Sequence, residues 1–291
     1  MNMDEKAVPE NCQWHTYESA WCPGCGNFII LDCLKQAVSG LGLEPSRVLI
    51  AAGIGQAAKI PQYLNANAFC GLHGRALPAA EAAKIANNQL TVIVSTGDGD
   101  SYGEGAGHFI HAIRRNVNIA HFVHDNQIYG LTKGQASPTS MRGITTDVQV
   151  DGNALDPLNP LEIAIAAGAG FVARGYVGHR EQLISLMQAA IRYEGYALLD
   201  ILQPCVSFNK VNTYAWYNER VYELKDAYDP YDRARALSTA AEFNEKIPLG
   251  ILYKRDGEPF DQRNSLLRQG GSLFKRRSDP ELLEHLISAY I

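Results

Sequence analysis

Apolar residues recur at helical spacing across residues 27–41 and stop at Gly42, which predicts a helix there. Beyond it the pattern changes to short, unbroken apolar runs. Val48-Leu49-Ile50-Ala51-Ala52 leads into Gly53-Ile54-Gly55, and Thr91-Val92-Ile93-Val94-Ser95 leads into Gly97-Asp98-Gly99. Each reads as a buried strand ending in a glycine turn. Further strands are predicted at 119–124, 171–174 and 197–202, and helices at 79–87, 105–115, 160–169 and 180–193. Strand and helix alternating this often predict an α/β fold: a doubly wound, mostly parallel sheet with helices on both faces. Ligands of such sheets collect beyond the carboxyl ends of the strands, where the glycine turns also fall.

From about Phe208 the alternation breaks down. Tyr, Asp, Arg and Lys dominate, and the segments DAYDPYDRARAL and FKRRSDPELLEHL are short and charged. This predicts a core over residues 1–210 and an extension over 211–291 packed on that core or on a partner subunit. The chain has 291 residues, 46% of them hydrophobic, enough for a sizeable core. A net charge of −5 offers no basic field for nucleic acid. The longest apolar stretch, 163–173, is too short and too rich in Gly and Ala to span a bilayer. The opening MNMDEKAVPE has no apolar run behind it, so neither a signal nor a transit peptide is expected, and a cytoplasmic protein is.

Six cysteines, at 12, 22, 25, 33, 70 and 205, are too few for a disulfide scaffold. Cys22 and Cys25 form a CxxC in WCPGCG, a pattern that can exchange disulfides, hold zinc or anchor an iron–sulfur cluster. A thioredoxin-type CxxC follows a hydrophobic strand, whereas NCQWHTYESA here is polar.

VIVSTGDGDSYGEGAG suggests a dinucleotide fingerprint but fails it. The third glycine is replaced by Tyr102, and Asp98 and Asp100 stand where phosphate would meet a helix N-terminus. A carboxylate beside a diphosphate makes sense if a divalent cation lies between them, and Mg²⁺ takes protein oxygens together with phosphate and water. A second oxygen ligand is then expected after the next strand, and Asn126 stands there in DNQIYGLTKGQASPTS. This GDG…N arrangement resembles the thiamine diphosphate-binding motif, which implies Asp98, Asn126 and the main-chain oxygen of Ile128 as Mg²⁺ ligands.

With WCPGCG, GIGxxxKIP, LHGRALP, TGDGD, NQIYGLTKGQxSPT and the PC before Phe208-Asn209, the chain resembles the β subunit of 2-oxoacid:ferredoxin oxidoreductases, especially the 2-oxoglutarate type. The resemblance covers about residues 18 to 210. It implies that the CxxC binds a [4Fe–4S] cluster, with Cys22, Cys25 and Cys205 as ligands. The family usually has cysteine directly after GIG, and this chain has Gln56. Cys70, three residues before His73, is the first candidate to replace it, and Cys12 the second; Cys33, mid-helix, is expected to be a small buried residue.

The resemblance further implies that Ile54, Gly55, Gln56, Ala57, His73, Gly99, Asp100, Gly130, Leu131 and Thr132 line the cofactor. Lys59 and Lys133 are expected to recognise the substrate carboxylate, with Leu131 shaping the pocket. Lys59, His73, Thr132 and Lys133 make the expected catalytic set. The implied reaction is coenzyme A-dependent oxidative decarboxylation of 2-oxoglutarate to succinyl-CoA and CO₂, or its reverse, with electrons passing through the cluster to ferredoxin. Pyruvate is the alternative substrate. A non-catalytic electron-transfer subunit and a thiol oxidoreductase are the other readings.

Thiamine chemistry needs a Glu against the aminopyrimidine, which in two-domain thiamine enzymes comes from a different domain. One doubly wound unit leaves no room for it, so an α subunit is expected to supply it, in an (αβ)₂ assembly. His108, His111, His121 and His124 form no complete zinc set and are expected to be structural or exposed.

Overall fold

The computed structural model describes residues 13–277 and 279–290. Ten strands form in chain order: β1 Val48–Ala52, β2 Asn67–Cys70, β3 Thr91–Gly97, β4 Ile119–Asp125, β5 Ile128–Tyr129, β6 Gln135–Ala136, β7 Phe171–Tyr176, β8 Tyr196–Leu202, β9 Val221–Glu223 and β10 Ile247–Lys254. The principal helices are α1 Asn27–Gly40, α2 Ile60–Tyr63, α3 Ala76–Ala86, α4 Ala106–Arg115, α5 Pro160–Ala166, α6 Arg180–Arg192, α7 Tyr214–Asn218 and α8 Arg233–Ala240. Three more, α9 Phe260–Arg263, α10 Ser265–Gly270 and α11 Pro280–Ser288, follow β10. Eight strands make one sheet in the order β2-β1-β3-β4-β8-β7-β10-β9, while β5 and β6 pair by themselves. Every pairing in the large sheet is parallel except β7 with β10.

The strand period of two divides the core between the faces. On one side Ile50, Ile93, Phe122, Leu199 and Ile201 pack with Ile30, Leu34 and Val38 of α1 and with Leu183 and Met187 of α6. On the other, Val92, Val94, Val123, Tyr196 and Leu198 pack with Leu77 of α3, Phe109 and Ile113 of α4, and Leu161 and Ile165 of α5. Helix α1 ends where its pattern ends: Gly42 adopts φ +66°, with Gly42 N donating to Ser39 O and Leu43 N to Val38 O. That pairing satisfies carbonyls the helix would otherwise leave bare.

Because β1, β3, β4 and β8 are adjacent and parallel, the turns at 53–57, 97–100, 126–130 and 203–205 all emerge along one edge of the sheet. The doubly wound α/β fold expected from the sequence is the fold observed.

The segment from residue 211, expected as an extension packed on the core or on a partner subunit, adds two strands to this same sheet. β10 pairs antiparallel with β7, and β9 parallel with β10. Ile247, Leu249 and Leu252 are fully buried. Pro248 and Gly250 mask this strand in the sequence, since both residues are disfavoured inside sheets. Among the described residues no helix is long and apolar enough to cross a membrane.

Leu249→Ala is expected to lower stability by about 2–5 kcal/mol, whereas Leu282→Ala, on the exposed face of α11, should change it by less than about 0.5 kcal/mol. Urea unfolding of the two variants side by side checks this, and equal effects would deny β10 its place in the core.

Candidate active site

The turns after β1, β3 and β4 enclose a cavity of about 70 Å³. Ile54, Gly55, Gln56 and Ala57 come to its wall from the first turn, and Asp98, Gly99 and Asp100 from the second. Asn126, Ile128, Gly130, Leu131 and Thr132 come from the third, and His73 from the loop after β2. The structure thus brings together the residues that the sequence assigned to cofactor and Mg²⁺. Lys59 and Lys133 are not on the wall. Lys59 is half-buried at the end of a 3₁₀ turn, and Lys133 is exposed at φ +82° one residue beyond Thr132.

Asp98 caps a wide π-type turn, Gly99–Glu104, that leads into α4. It is 2% exposed, and burial pushes its carboxyl up to about 6, against hydrogen bonds from Ser137 and Thr139 that pull it down. Thr139 Oγ1 lies 2.8 Å from Asp98 Oδ2 and 2.8 Å from Asp125 Oδ1. A hydroxyl has one proton, so it donates to only one of the two carboxylates at a time. Asp125 is itself pushed well above the carboxylate range by burial and by Asp200 and Asp98. Asp100 is raised by burial, while Gly74 N and Ile54 N donate to its Oδ1 at 2.6 and 3.2 Å. His73 Nδ1 lies 2.9 Å from Asp100 Oδ1 and 3.3 Å from Glu104 Oε2.

These residues fit a diphosphate gripped through a cation. Two carboxylates in the wall repel a bare diphosphate, and the buried Asp98 lacks the compensating charge that a divalent ion would bring. At Gly97 and Gly130 a Cβ would meet nothing within 4 Å, so the backbone is open to a ligand on those sides. Gly99 is closed instead: a Cβ there would stand 2.1 Å from the Tyr129 ring. Asn126 Oδ1 accepts from Ile128 N at 3.0 Å, which turns the amide back over its own loop.

A second cavity lies beside the first, lined by Cys22, Cys25 and Cys205 together with Trp21, Asn27, Gln203 and Phe208. Gln56, Asn126 and Gly130 line both cavities. Trp21 packs edge-on against Tyr63 and Phe28, and its Nε1 donates to Gln56 O at 2.9 Å, tying the CxxC loop to the turn after β1. Burial, with Cys205 and Cys22 close by, pushes the Cys25 thiol up to about 11. The set fits a group that brings its own positive charge, as an iron–sulfur cluster does.

Cys70 does not join the three. It ends the outer strand β2, with Sγ 4.0 Å from Ala58 O, and three strands separate β2 from β8, the strand that leads to Cys205. At about 4.8 Å per spacing the two strand ends stand about 19 Å apart. Cys33 is fully buried, as expected of a mid-helix cysteine, and Cys12 lies outside the described residues. Among the described residues no group of three or more His, Cys, Asp and Glu is arranged to hold a metal ion. The Mg²⁺ set expected here includes a single carboxylate.

His121 and His124 are structural. His121 Nε2 meets Thr96 Oγ1 at 2.9 Å and Ser101 Oγ at 3.0 Å, and its Nδ1 meets Tyr196 OH at 2.7 Å. His124 bridges Asn27 Oδ1 and Ser95 Oγ. Burial lowers both to about 3, so both are neutral. His108 is half-buried and His111 exposed.

Sequence reasoning missed Thr139, Ser137, Asp125, Tyr129 and Gln203. The hydroxyls stand in plain view in QASPTS, but only the fold shows that they turn back under Asp98. Thr139→Val keeps the side chain's shape and removes the shared hydroxyl. It is expected to lower the stability of the ligand-free chain by about 1–3 kcal/mol in urea unfolding; an unchanged midpoint would show that neither carboxylate depends on it.

Residues 48–201 match the family described as thiamine pyrophosphate enzyme, C-terminal TPP binding domain. Residues 205–269 match the family described as the C terminal of the pyruvate ferredoxin oxidoreductase beta subunit. The chain is 44% identical over 262 residues to 2-oxoacid:ferredoxin oxidoreductase 2, subunit beta, of Aeropyrum pernix, covering 86% of this chain and 85% of that one. It is 42% identical over 192 residues to 2-oxoglutarate oxidoreductase subunit KorB of Mycobacterium tuberculosis, covering 66% and 52%. It superposes with a TM-score of 0.88, at 34% identity and over 94% of each chain, on the solved 2-oxoglutarate:ferredoxin oxidoreductase from Magnetococcus marinus with 2-oxoglutarate, coenzyme A and succinyl-CoA bound. A glycine turn with a buried carboxylate is common to many folds, but likeness along this much of the chain is not, and the chain belongs to the β subunits of the 2-oxoacid:ferredoxin oxidoreductases.

Proposed function

We propose that this subunit holds the diphosphate end of thiamine diphosphate through Mg²⁺, together with one [4Fe–4S] cluster, in the coenzyme A-dependent oxidation of 2-oxoglutarate to succinyl-CoA and CO₂ or its reverse. The observation that carries the reading is the wall common to the two cavities, formed by Gln56, Asn126 and Gly130. It puts the cavity that holds the buried Asp98 directly beside the cavity lined by Cys22, Cys25 and Cys205. Bound there, the cofactor supplies the electron sink for cleavage of the 2-oxoacid, and the cluster carries electrons away singly toward ferredoxin.

The chain's own residues do the holding. Asp98, the Asn126 amide and the Ile128 carbonyl oxygen would hold Mg²⁺, while Thr139 and Ser137 keep the Asp98 carboxylate aimed from below. Asp100 and Glu104 occupy the Nδ1 side of His73, which leaves Nε2 for a phosphate oxygen. Gly130, Leu131 and Thr132 close the side away from the sheet.

A cavity of about 70 Å³ is small beside the roughly 300–1,000 Å³ of a pocket that encloses a whole ligand. The rest of the cofactor therefore needs a wall from elsewhere, which supports a site shared with an α subunit. The names of the KorB relative and of the Magnetococcus structure favour 2-oxoglutarate over pyruvate. Lys133, exposed beside Thr132, is the proposed partner of the second carboxylate, and Lys59 is proposed to assist from the turn after β1.

Asp98 must be ionised to take Mg²⁺, and its carboxyl titrates at about 6 without the metal. Metal and proton compete for it, so affinity for Mg²⁺ with thiamine diphosphate is expected to fall about tenfold per pH unit below 6 and to level off above it. Calorimetric titrations from pH 5 to 8 check this; a flat profile would remove Asp98 as the ligand. In the αβ complex, Lys133→Ala should raise the KM for 2-oxoglutarate about tenfold, equivalent to about 1.4 kcal/mol, with little change for pyruvate. Equal effects on the two substrates would exclude carboxylate recognition by Lys133.

A further inference from the structure

Three cysteines and Gln56 line the cysteine cavity. Cys22, Cys25, Cys205 and Gln56 share its wall, and Cys70 is held away on the outer strand of the sheet. The Gln56 backbone is fixed, because Trp21 Nε1 holds its carbonyl. Its side-chain Oε1 is buried and has no hydrogen-bond partner. A buried amide oxygen without a donor is unfavourable, and a cation beside it removes the deficit.

Resting on the cluster proposed above, we propose that Cys22, Cys25 and Cys205 bind three of its irons, while the fourth iron faces Gln56 with no protein thiolate. Soft thiolates hold iron–sulfur clusters firmly, whereas a neutral amide oxygen is a weak, hard ligand. The fourth iron is accordingly exchangeable. It also lies on the cofactor side of the cluster, since Gln56 is a residue the two cavities share. Oxidation exposes the difference. One electron passes from the [4Fe–4S]²⁺ cluster to ferricyanide, the Gln56-facing iron leaves as Fe²⁺, and [3Fe–4S]⁺ remains on the three cysteines. Charge balances, because the three positive charges of the products and the one negative charge of the departing electron sum to the original two.

The αβ complex, purified without oxygen, is treated with ferricyanide in the presence of a ferrous chelator while iron release and the paramagnetic resonance spectrum are followed. The native complex is expected to release about one of the four irons of each cluster, to show the three-iron signal, and to recover on adding Fe²⁺ with a reductant. Gln56→Cys should retain all its iron and show no such signal. Cys12→Ser and Cys70→Ser should leave the iron content unchanged. Native protein as resistant as Gln56→Cys would overturn the proposal, as would iron loss in either serine variant while it remains folded. A complex that binds no iron at all would remove the cluster reading itself, whereas an inert four-iron cluster removes only the exchangeable corner.

Discussion

The site depends on carboxylates that the sheet buries faster than it neutralises them. Asp98 leaves the end of β3, Asp125 ends β4 and Asp200 lies in β8, and all three are at most 3% exposed. The positive charge set against them is the Arg174 guanidinium, equally buried, with its Nε lacking a partner. One Thr139 hydroxyl serves two of the carboxylates, and Tyr102 OH donates to Asp200 at 2.8 Å. Without further positive charge, such a group keeps protons that carboxylates normally lose at neutral pH. The fold therefore concentrates uncompensated negative charge at the floor of the cavity beyond β3 and β4. A cation offsetting that charge would make the acidic residues of TGDGD compatible with a phosphate ligand.

Much of this is legible in the sequence, because parallel strands buried on both faces write themselves as unbroken apolar runs. β1, β3, β4, β7 and β8 can each be read there, within one or two residues of their observed ends. The edges cannot. β2 is the exposed run Asn67–Cys70, and its place in the sheet comes only from pairing with β1. β10 carries Pro248 and Gly250 and pairs antiparallel, which no local pattern announces. The residues that line the cavity beyond β1, β3 and β4 are legible because each sits in or beside a glycine turn at a strand end. The groups that set the charge state of Asp98 are not, since Thr139 reaches it from 41 residues away.

The cysteines show the same division. A CxxC is a local pattern, but which further thiol completes its set depends on the order of strands in the sheet. Proximity in sequence to His73 makes Cys70 attractive, yet β2 is the outermost strand and β8 lies beyond three others. Cys205 shares a cavity with Cys22 and Cys25 where Cys70 does not, because it follows β8, the neighbour of β4, and so falls beside the Asn126 turn.

Gln56 is where the two halves of the site constrain each other. Its carbonyl anchors the CxxC loop through Trp21, and the residue lines both cavities. The anchor uses only the main chain, so it is indifferent to the side chain at this position. A different side chain at position 56 consequently changes what that position offers the cysteine cavity without moving the loop that carries Cys22 and Cys25. The exchangeable iron proposed above would then be a property of one side chain on an unaltered geometry of turns.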